Sequence, residues 1–203
     1  MSLSPRKSIL ELIPYKPNFG KSNLKKTIRM SANENPLGCS PKVLESIKDV
    51  NFNRYPPQVS EKLITTISEK FGLDQNKIIL GNGSDELISI IAQSFLNFGD
   101  EAIYTEYGFL QFPQAIKVAG GKAVVAKDKN LTVSVDNILK KITLKTRIVF
   151  LANPNNPTGT LIDKKEVIRL IESIPKNILL VYDAAYAEYI YDPVYTDGIS
   201  LVK

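Results

Sequence analysis

The sequence predicts an α/β fold of three layers, with helices on both faces of a mainly parallel sheet. From Lys77 onward, short apolar runs alternate with segments whose apolar residues recur every three or four positions. That alternation is the pattern of successive strand–helix units. The run Ile148-Val149-Phe150-Leu151-Ala152 is continuously apolar, as a buried strand requires. Strands are predicted near 77–81, 101–105, 122–126, 147–152 and 177–183, and helices near 84–97, 108–119, 134–142 and 163–173. In the 84–97 segment Leu87, Ile88, Ile91 and Phe95 form the apolar face, and Ser84 reads as the helix cap. Upstream, Pro41 to Lys48 predicts a short helix, with Ser40 as cap and Pro41 at its first position. Ser60 to Phe71 predicts another, with Leu63, Ile64 and Ile67 on one face and Gly72 at its end. Residues 1–35 are polar, carry Pro5, Pro14, Pro17 and Gly20, and read as an arm.

Composition narrows the chemistry. The 203 residues are 43% hydrophobic, enough for one substantial core, and 23% charged, which does not point to disorder. Histidine is absent, which removes Ser–His–Asp and Cys–His catalysis and most zinc chemistry from this stretch. Acid–base work must then come from lysine, tyrosine, carboxylates or a cofactor, and no metal site is expected. The single cysteine, Cys39, precludes an internal disulfide and points to a reducing cytoplasm. No apolar stretch approaches membrane-spanning length, and residues 1–16 lack a signal peptide's apolar core. The net charge is +5, with lysine pairs at 25–26, 140–141 and 164–165. No aromatic residues interleave with them, so they read as solvated faces rather than a nucleic-acid surface. A modestly positive field does favour phosphorylated ligands.

Three segments carry chemistry. Asn153-Pro154-Asn155-Asn156-Pro157-Thr158-Gly159 follows the apolar run 148–152 and must turn at that strand's end. A second run, Ile178 to Tyr182, closes on Asp183-Ala184-Ala185-Tyr186. The carboxyl ends of parallel strands are where open α/β sheets present ligand-binding groups. These two ends bring an amide, a carboxylate and a phenol to one crevice, a set suited to the hydroxypyridine ring of pyridoxal phosphate. The third segment, Gly81-Asn82-Gly83-Ser84-Asp85-Glu86, is a Gly-x-Gly turn opening a helix. Its first-turn N–H groups, with the helix dipole behind them, make a phosphate site. Gly83 lets the ligand approach the backbone closely. Neither Gly-x-Gly-x-x-Gly nor a Walker Lys-Ser/Thr is present, which disfavours a nucleotide module.

Taken in order, Ser31-Ala32-Asn33-Glu34-Asn35-Pro36, Arg54-Tyr55-Pro56, the 81–86 turn and the 153–159 turn resemble the class II aminotransferases of fold type I. The likeness is greatest to their histidinol-phosphate aminotransferase branch, and it covers about Leu12 to about Tyr189. The resemblance implies the large domain of a fold-type-I pyridoxal-phosphate-dependent transferase, with a mainly parallel sheet incomplete at its C-terminus. Residues 1–40 would be an N-terminal arm and the start of a small domain. Residues 41–203 would be the N-terminal part of the large cofactor-binding domain. The implied reaction is transamination of histidinol phosphate with 2-oxoglutarate, in histidine biosynthesis, by a homodimer. Its small-molecule partners are an amine and a 2-oxo acid.

Asp183 would keep the ring nitrogen protonated, while Asn156 and Tyr186 would donate to the phenolic oxygen. Ser84, Asp85 and Glu86 would offer backbone N–H groups to the phosphate, their two carboxylates turned away. The resemblance further implies that Tyr107 stacks on the ring, that Tyr55 reaches the neighbouring subunit's phosphate, and that Tyr15 and Asn33 lie near substrate. Two departures from the family pattern bear on subfamily. Ala184 stands at a commonly acidic position, and Thr105-Glu106-Tyr107 replaces Pro-Thr-Tyr. The family's cofactor-anchoring lysine, set after Ser or Thr and before a Gly-rich arginine motif, has no counterpart here, since Lys203 follows Ser-Leu-Val. The expectation is the N-terminal part of a longer enzyme, inactive alone. The alternatives are an aromatic amino-acid aminotransferase, a threonine-phosphate decarboxylase of the same fold, or a non-catalytic truncated relative.

Overall fold

In the computed structural model, residues 4–13, 30–57 and 59–202 are described. They belong to two compact units, one formed by Met1–Leu12 with Glu61–Lys203 and the other by Ile13–Ser60. The boundary expected at 40/41 falls inside the smaller unit.

The arm contains a turn of helix the sequence does not predict, α1 (Lys7–Leu10). Beside it, the Arg6 guanidinium donates to the Val118 carbonyl. In the smaller unit, α2 (Pro41–Ser46) carries proline at its first position and runs into a 3-10 turn at Ile47–Asp49. The larger unit resumes with α3 (Glu61–Phe71), ended by Gly72 at φ 63°. A 3-10 turn at Gln75–Lys77 follows, capped by the Asp74 carboxylate 2.9 Å from Asn76 N. The chain then continues through α4 (Gly83–Phe95), β1 (Glu101–Thr105), α5 (Gln111–Ala119), β2 (Lys122–Ala126) and α6 (Val135–Leu139). It ends with β3 (Thr146–Ala152), α7 (Lys164–Ser173) and β4 (Leu179–Asp183). Asp163 caps α7, its Oδ1 taking the Glu166 N–H at 2.9 Å.

Two expectations need correction. Residues 77–81 form no strand among the described residues; the 3-10 turn takes the start, and Ile79 is exposed. An apolar run supplies the pattern of a strand, but a strand exists only where a neighbouring edge offers its hydrogen bonds. The segment 108–110 is a turn rather than helix. There Gly108 N donates to Thr105 O at 2.9 Å, and α5 starts only at Gln111.

The four strands pair in the order β2-β1-β3-β4, all parallel. The register sets Ile103 beside Val124 and Val149, and Ala152 beside Asp183. Side chains of β3 alternate between two cores. Ile148, Phe150 and Ala152 pack with Ile88 and Ala92 of α4 and Phe112, Ala115 and Ile116 of α5. Val149 and Leu151 pack on the other face with Val135 and Ile138 of α6 and Val167 and Leu170 of α7. The period of two in an otherwise unbroken apolar run thus fills two layers at once. The helices take those faces because crossovers between parallel strands are right-handed. The step from β1 to β2 runs one way across the sheet, and the steps to β3 and β4 run the other.

At the base of the sheet, the buried Glu101 accepts from Lys122 Nζ at 2.8 Å and Thr143 Oγ1 at 2.6 Å, so its charge is compensated. In the α4–α5 core Phe112 stacks on Phe150, with centroids 5.0 Å apart, and meets Phe109 edge-on at 5.9 Å. Phe112 is fully buried, so Phe112→Ala should cost about 3–5 kcal/mol. Urea denaturation checks this, with the midpoint falling and the slope unchanged.

Candidate active site

The strand order reverses between β1 and β3: β2 lies beyond β1 on one side and β4 beyond β3 on the other. In open parallel sheets the crevice outside the carboxyl ends at such a reversal is where ligands bind. Here the loops after β1 and β3 join at that point, with Asn155 Nδ2 donating to the Tyr107 carbonyl at 3.0 Å. Next to it, Asn153 N donates to Asp183 O at 2.9 Å, extending the β3–β4 pairing one residue past the strand.

The turn 153–159 is held from inside. Its peptide bonds before Pro154 and Pro157 are cis, and Gly159 has φ 69°, a left-handed value that favours glycine. Asn155 N donates to Thr160 O and Gly159 N to Asn155 O, both at 2.8 Å. Asn153 is 1% exposed and uses every polar group it has. Its Nδ2 donates to Ile162 O at 3.1 Å and to the Tyr182 hydroxyl at 2.8 Å, and its Oδ1 accepts from Ile162 N at 3.0 Å. The Tyr182 hydroxyl in turn donates to Thr196 O at 2.6 Å, and the Tyr195 hydroxyl donates to Asn153 O at 2.8 Å. Burial pushes both hydroxyls above the ordinary tyrosine value, so they stay neutral donors. Asn156 then stands on this rigid base, half-buried, its side chain without a partner among the described residues.

Asp183 closes β4. Its Oδ1 accepts from Ala185 N at 3.0 Å, and its other oxygen takes no donor among the described residues. Burial pushes its carboxyl above the usual carboxylate value, and the charge of Asp85 adds to the push. Helix α4 starts at Gly83, one residue earlier than expected, so Ser84 lies inside the first turn and does not cap it. Asn82 occupies the cap position, and Glu86 reaches back to it. Glu86 Oε2 accepts from Asn82 N at 2.5 Å and Nδ2 at 3.0 Å, which turns that carboxylate onto the preceding loop. The N–H groups of Gly83, Ser84 and Asp85 take no partner among the described residues. Gly83 has φ 80° and open space where a Cβ would stand.

Tyr107 sits on the loop after β1, 44% exposed. Tyr186 is half-buried three residues past Asp183, its ring 6.3 Å from that of Tyr189. Asn33, at φ 52°, and Tyr55, fully exposed, belong to the smaller unit. Tyr15 lies outside the described residues. Sequence reasoning assigned no role to Asn153, Asn155, Tyr182, Tyr195 or Asp128. For Asn153 and Asn155 a signal existed, since both stand inside the turn that drew attention to Asn156. Asp128, between two lysines, carried none.

These groups fit pyridoxal phosphate. An open carboxylate oxygen whose negative charge is costly without a cation suits a protonated ring nitrogen. Unspent N–H groups at a helix start suit a phosphate, and a free amide suits a phenolic oxygen. Among the described residues, no group of His, Cys, Asp and Glu could hold a metal ion, and no helix is long and apolar enough to cross a membrane.

A family model described as aminotransferase class I and II matches residues 25–203. A histidinol-phosphate aminotransferase of Rhodopseudomonas palustris is 44% identical over 98% of the chain and 56% of its own length. One from Pelagibacter ubique is 43% identical over 98% of the chain and 56% of its own length. The chain spans about half the length of the curated relatives it matches. Among solved structures, histidinol-phosphate aminotransferase from Sinorhizobium meliloti, in complex with pyridoxal-5'-phosphate, superposes with TM-score 0.77. That match covers 82% of this chain and 46% of that one, at 24% identity, and it shows a shared fold.

The raised Asp183 pKa has a consequence for stability without ligand. A carboxyl whose folded value exceeds its unfolded value favours the fold fully below the unfolded value, and that stability is lost as pH rises through the folded one. Ionising Asp183 is therefore a cost to the fold. Asp183→Asn should raise the melting temperature of the ligand-free protein at pH 7. The gain should vanish as pH falls below the ordinary carboxylate value, which thermal melts at pH 3.5 to 7 will show.

Proposed function

Because the chain belongs to the class I and II aminotransferases, we propose that it forms the cofactor-binding half of a pyridoxal-phosphate-dependent transaminase acting on histidinol phosphate with 2-oxoglutarate. The observation that supports this reading is that three groups keep bonding capacity the fold does not use, on elements that follow β3, end β4 and open α4. They are the Asp183 carboxylate, the Asn156 amide and the N–H groups of the first turn of α4.

When bound, pyridoxal phosphate supplies an electron sink for the pair released as the substrate's Cα–H bond breaks. Asp183 holds a proton on the ring nitrogen, and its own raised pKa falls once that cation faces it. Asn156 and Tyr186 donate to the phenolic oxygen and keep it anionic. Ser84, Asp85 and Glu86 offer backbone N–H groups to the phosphate, helped by the dipole of α4. The bonds from Asn82 keep the Glu86 carboxylate off that anion. Tyr107 covers one face of the ring. Substrate choice rests on the likeness to relatives that carry this activity by name, along 98% of the chain.

We further assign residues 41–203 to the large domain and residues 1–40 to an arm and the start of the small domain, with Asn33 and Tyr15 near substrate. The intact protein is a cytoplasmic homodimer in this reading, and the fully exposed Tyr55 reaches the neighbouring subunit's phosphate. Sedimentation should give a dimer. Tyr55→Phe should weaken cofactor binding by about tenfold, the loss of one charge-assisted hydrogen bond. A monomer with full activity would contradict this.

The chemistry is tested by turnover of histidinol phosphate and 2-oxoglutarate in the intact protein. Asp183→Ala should retain some cofactor yet lose on the order of 10²-fold or more in kcat. An unimpaired Asp183→Ala enzyme would reject the assignment.

A further inference from the structure

The loop that carries Tyr107 is gripped by two residues remote in sequence. Asp128 Oδ2 accepts from Tyr107 N at 3.1 Å, and Asn155 Nδ2 donates to Tyr107 O at 3.0 Å. Both polar groups of that residue's backbone are therefore committed, one on each side of its Cα, and its φ and ψ are pinned. The turn is closed beneath, since Gly108 N donates to Thr105 O at 2.9 Å. A Cβ on Gly108 would meet Thr105 Oγ1 at 2.5 Å, so the chain cannot shift inward there without cost. The Tyr107 side chain contributes no anchor of its own: 44% exposed, it makes no hydrogen bond or ring contact among the described residues.

We propose that Asp128 and Asn155 are positioning residues that aim the Tyr107 ring over the cofactor and lock it to the turn carrying Asn156. This rests on the reading that Tyr107 stacks on pyridoxal phosphate. Asn155 makes the link because the same Nδ2 also donates to Thr158 Oγ1 at 2.8 Å, inside the 153–159 turn. A ring-stacking side chain and a phenolic-oxygen donor thus move as one piece. The arrangement is kept at a price in solvation. Asn155 is 3% exposed, yet its Oδ1 is buried without a partner among the described residues, as are Asp128 Oδ1 and Thr105 Oγ1. Buried acceptors left unmatched destabilise a fold by roughly 1–3 kcal/mol each. Their concentration around one exposed tyrosine marks a place where backbone geometry outweighs solvation. Burial also pushes the Asp128 carboxyl above its usual value, in keeping with that cost.

The test uses the intact protein loaded with pyridoxal phosphate and reads the visible circular dichroism of the bound cofactor and its dissociation constant. Tyr107→Ala reports the stacking itself. Asp128→Ala and Asn155→Asp, each checked for folding by far-ultraviolet circular dichroism, remove one grip each. Both should change the cofactor signal in the same sense as Tyr107→Ala and weaken binding by about tenfold. Neither should add to the effect of Tyr107→Ala in a double variant, the mark of residues acting through one another. Asp128→Asn, which retains an acceptor oxygen, should restore the signal. In the ligand-free protein the Tyr107 amide should exchange slowly with solvent and lose that protection in Asp128→Ala. A changed signal in Tyr107→Ala with native signals in the folded Asp128 and Asn155 variants overturns the proposal and leaves stacking intact. Additive double variants overturn it too. If Tyr107→Ala leaves signal and affinity untouched, the stacking reading falls, and the proposal with it. Should one grip variant fail to fold, the other and the amide exchange decide the matter.

Discussion

The architecture depends on β3 being paired on both edges and covered on both faces. A strand in that position has no access to water, so each polar group must be matched within the sheet and each side chain must be apolar. Ile148 to Ala152 meet that demand, and all five are buried. Pairing with β1 and with β4 then brings two strand ends to the same level as the end of β3. Tyr107, Asn156, Asp183 and Tyr186 all lie on the few residues beyond those ends. Were β3 an edge strand, the turn that carries Asn156 could not bond both the Tyr107 loop and the end of β4.

Leaving so buried a strand is difficult, and the solution here is a polar knot. Asn153 follows the last apolar residue and is still inaccessible to solvent, so its side chain mimics the sheet's hydrogen bonding toward Ile162 and the Tyr182 hydroxyl. Tyr195 and Thr196, contributed from beyond β4, complete the set. Two prolines and a left-handed glycine shape the backbone between. The result is a turn stiff enough to present Asn156 without bonds to that residue's own side chain. Rigid elements beneath a functional side chain hold it more accurately than a solvated loop does.

Electrostatically the site is unbalanced without a ligand, and in a consistent direction. Asp183 faces burial and the nearby charge of Asp85, and both raise its pKa. The first turn of α4, remote in sequence, has N–H groups without a partner among the described residues, and these favour an anion. In the proposed reading Asp183 would face the cationic ring nitrogen and the α4 start the phosphate, so that one ligand would satisfy both. A free Glu86 carboxylate would oppose an anion there, but Asn82 ties it to the preceding loop.

The amino-acid sequence by itself determined the alternation of strands and helices, the four strands that form, and the residue types delivered to the carboxyl edge. Those follow from local signals: apolar periodicity, Pro and Gly at turns, and a Gly-x-Gly before a helix. It did not determine that 77–81 stays unpaired, because pairing depends on which edges are available and not on the run itself. Nor could it show that Asn153, Tyr182 and Tyr195 form one network, that Asp128 reaches the Tyr107 backbone, or that Glu86 folds back on Asn82. The side chains of Asn153 and Asn155 carry the same signal in sequence as Asn156, yet two are buried staples and one stands open. Only the tertiary structure separates them, since burial and hydrogen-bond partners come from strands and loops dozens of residues away. A residue's type states what it can bond; the packing around it decides whether that capacity is spent on the fold or left for a ligand.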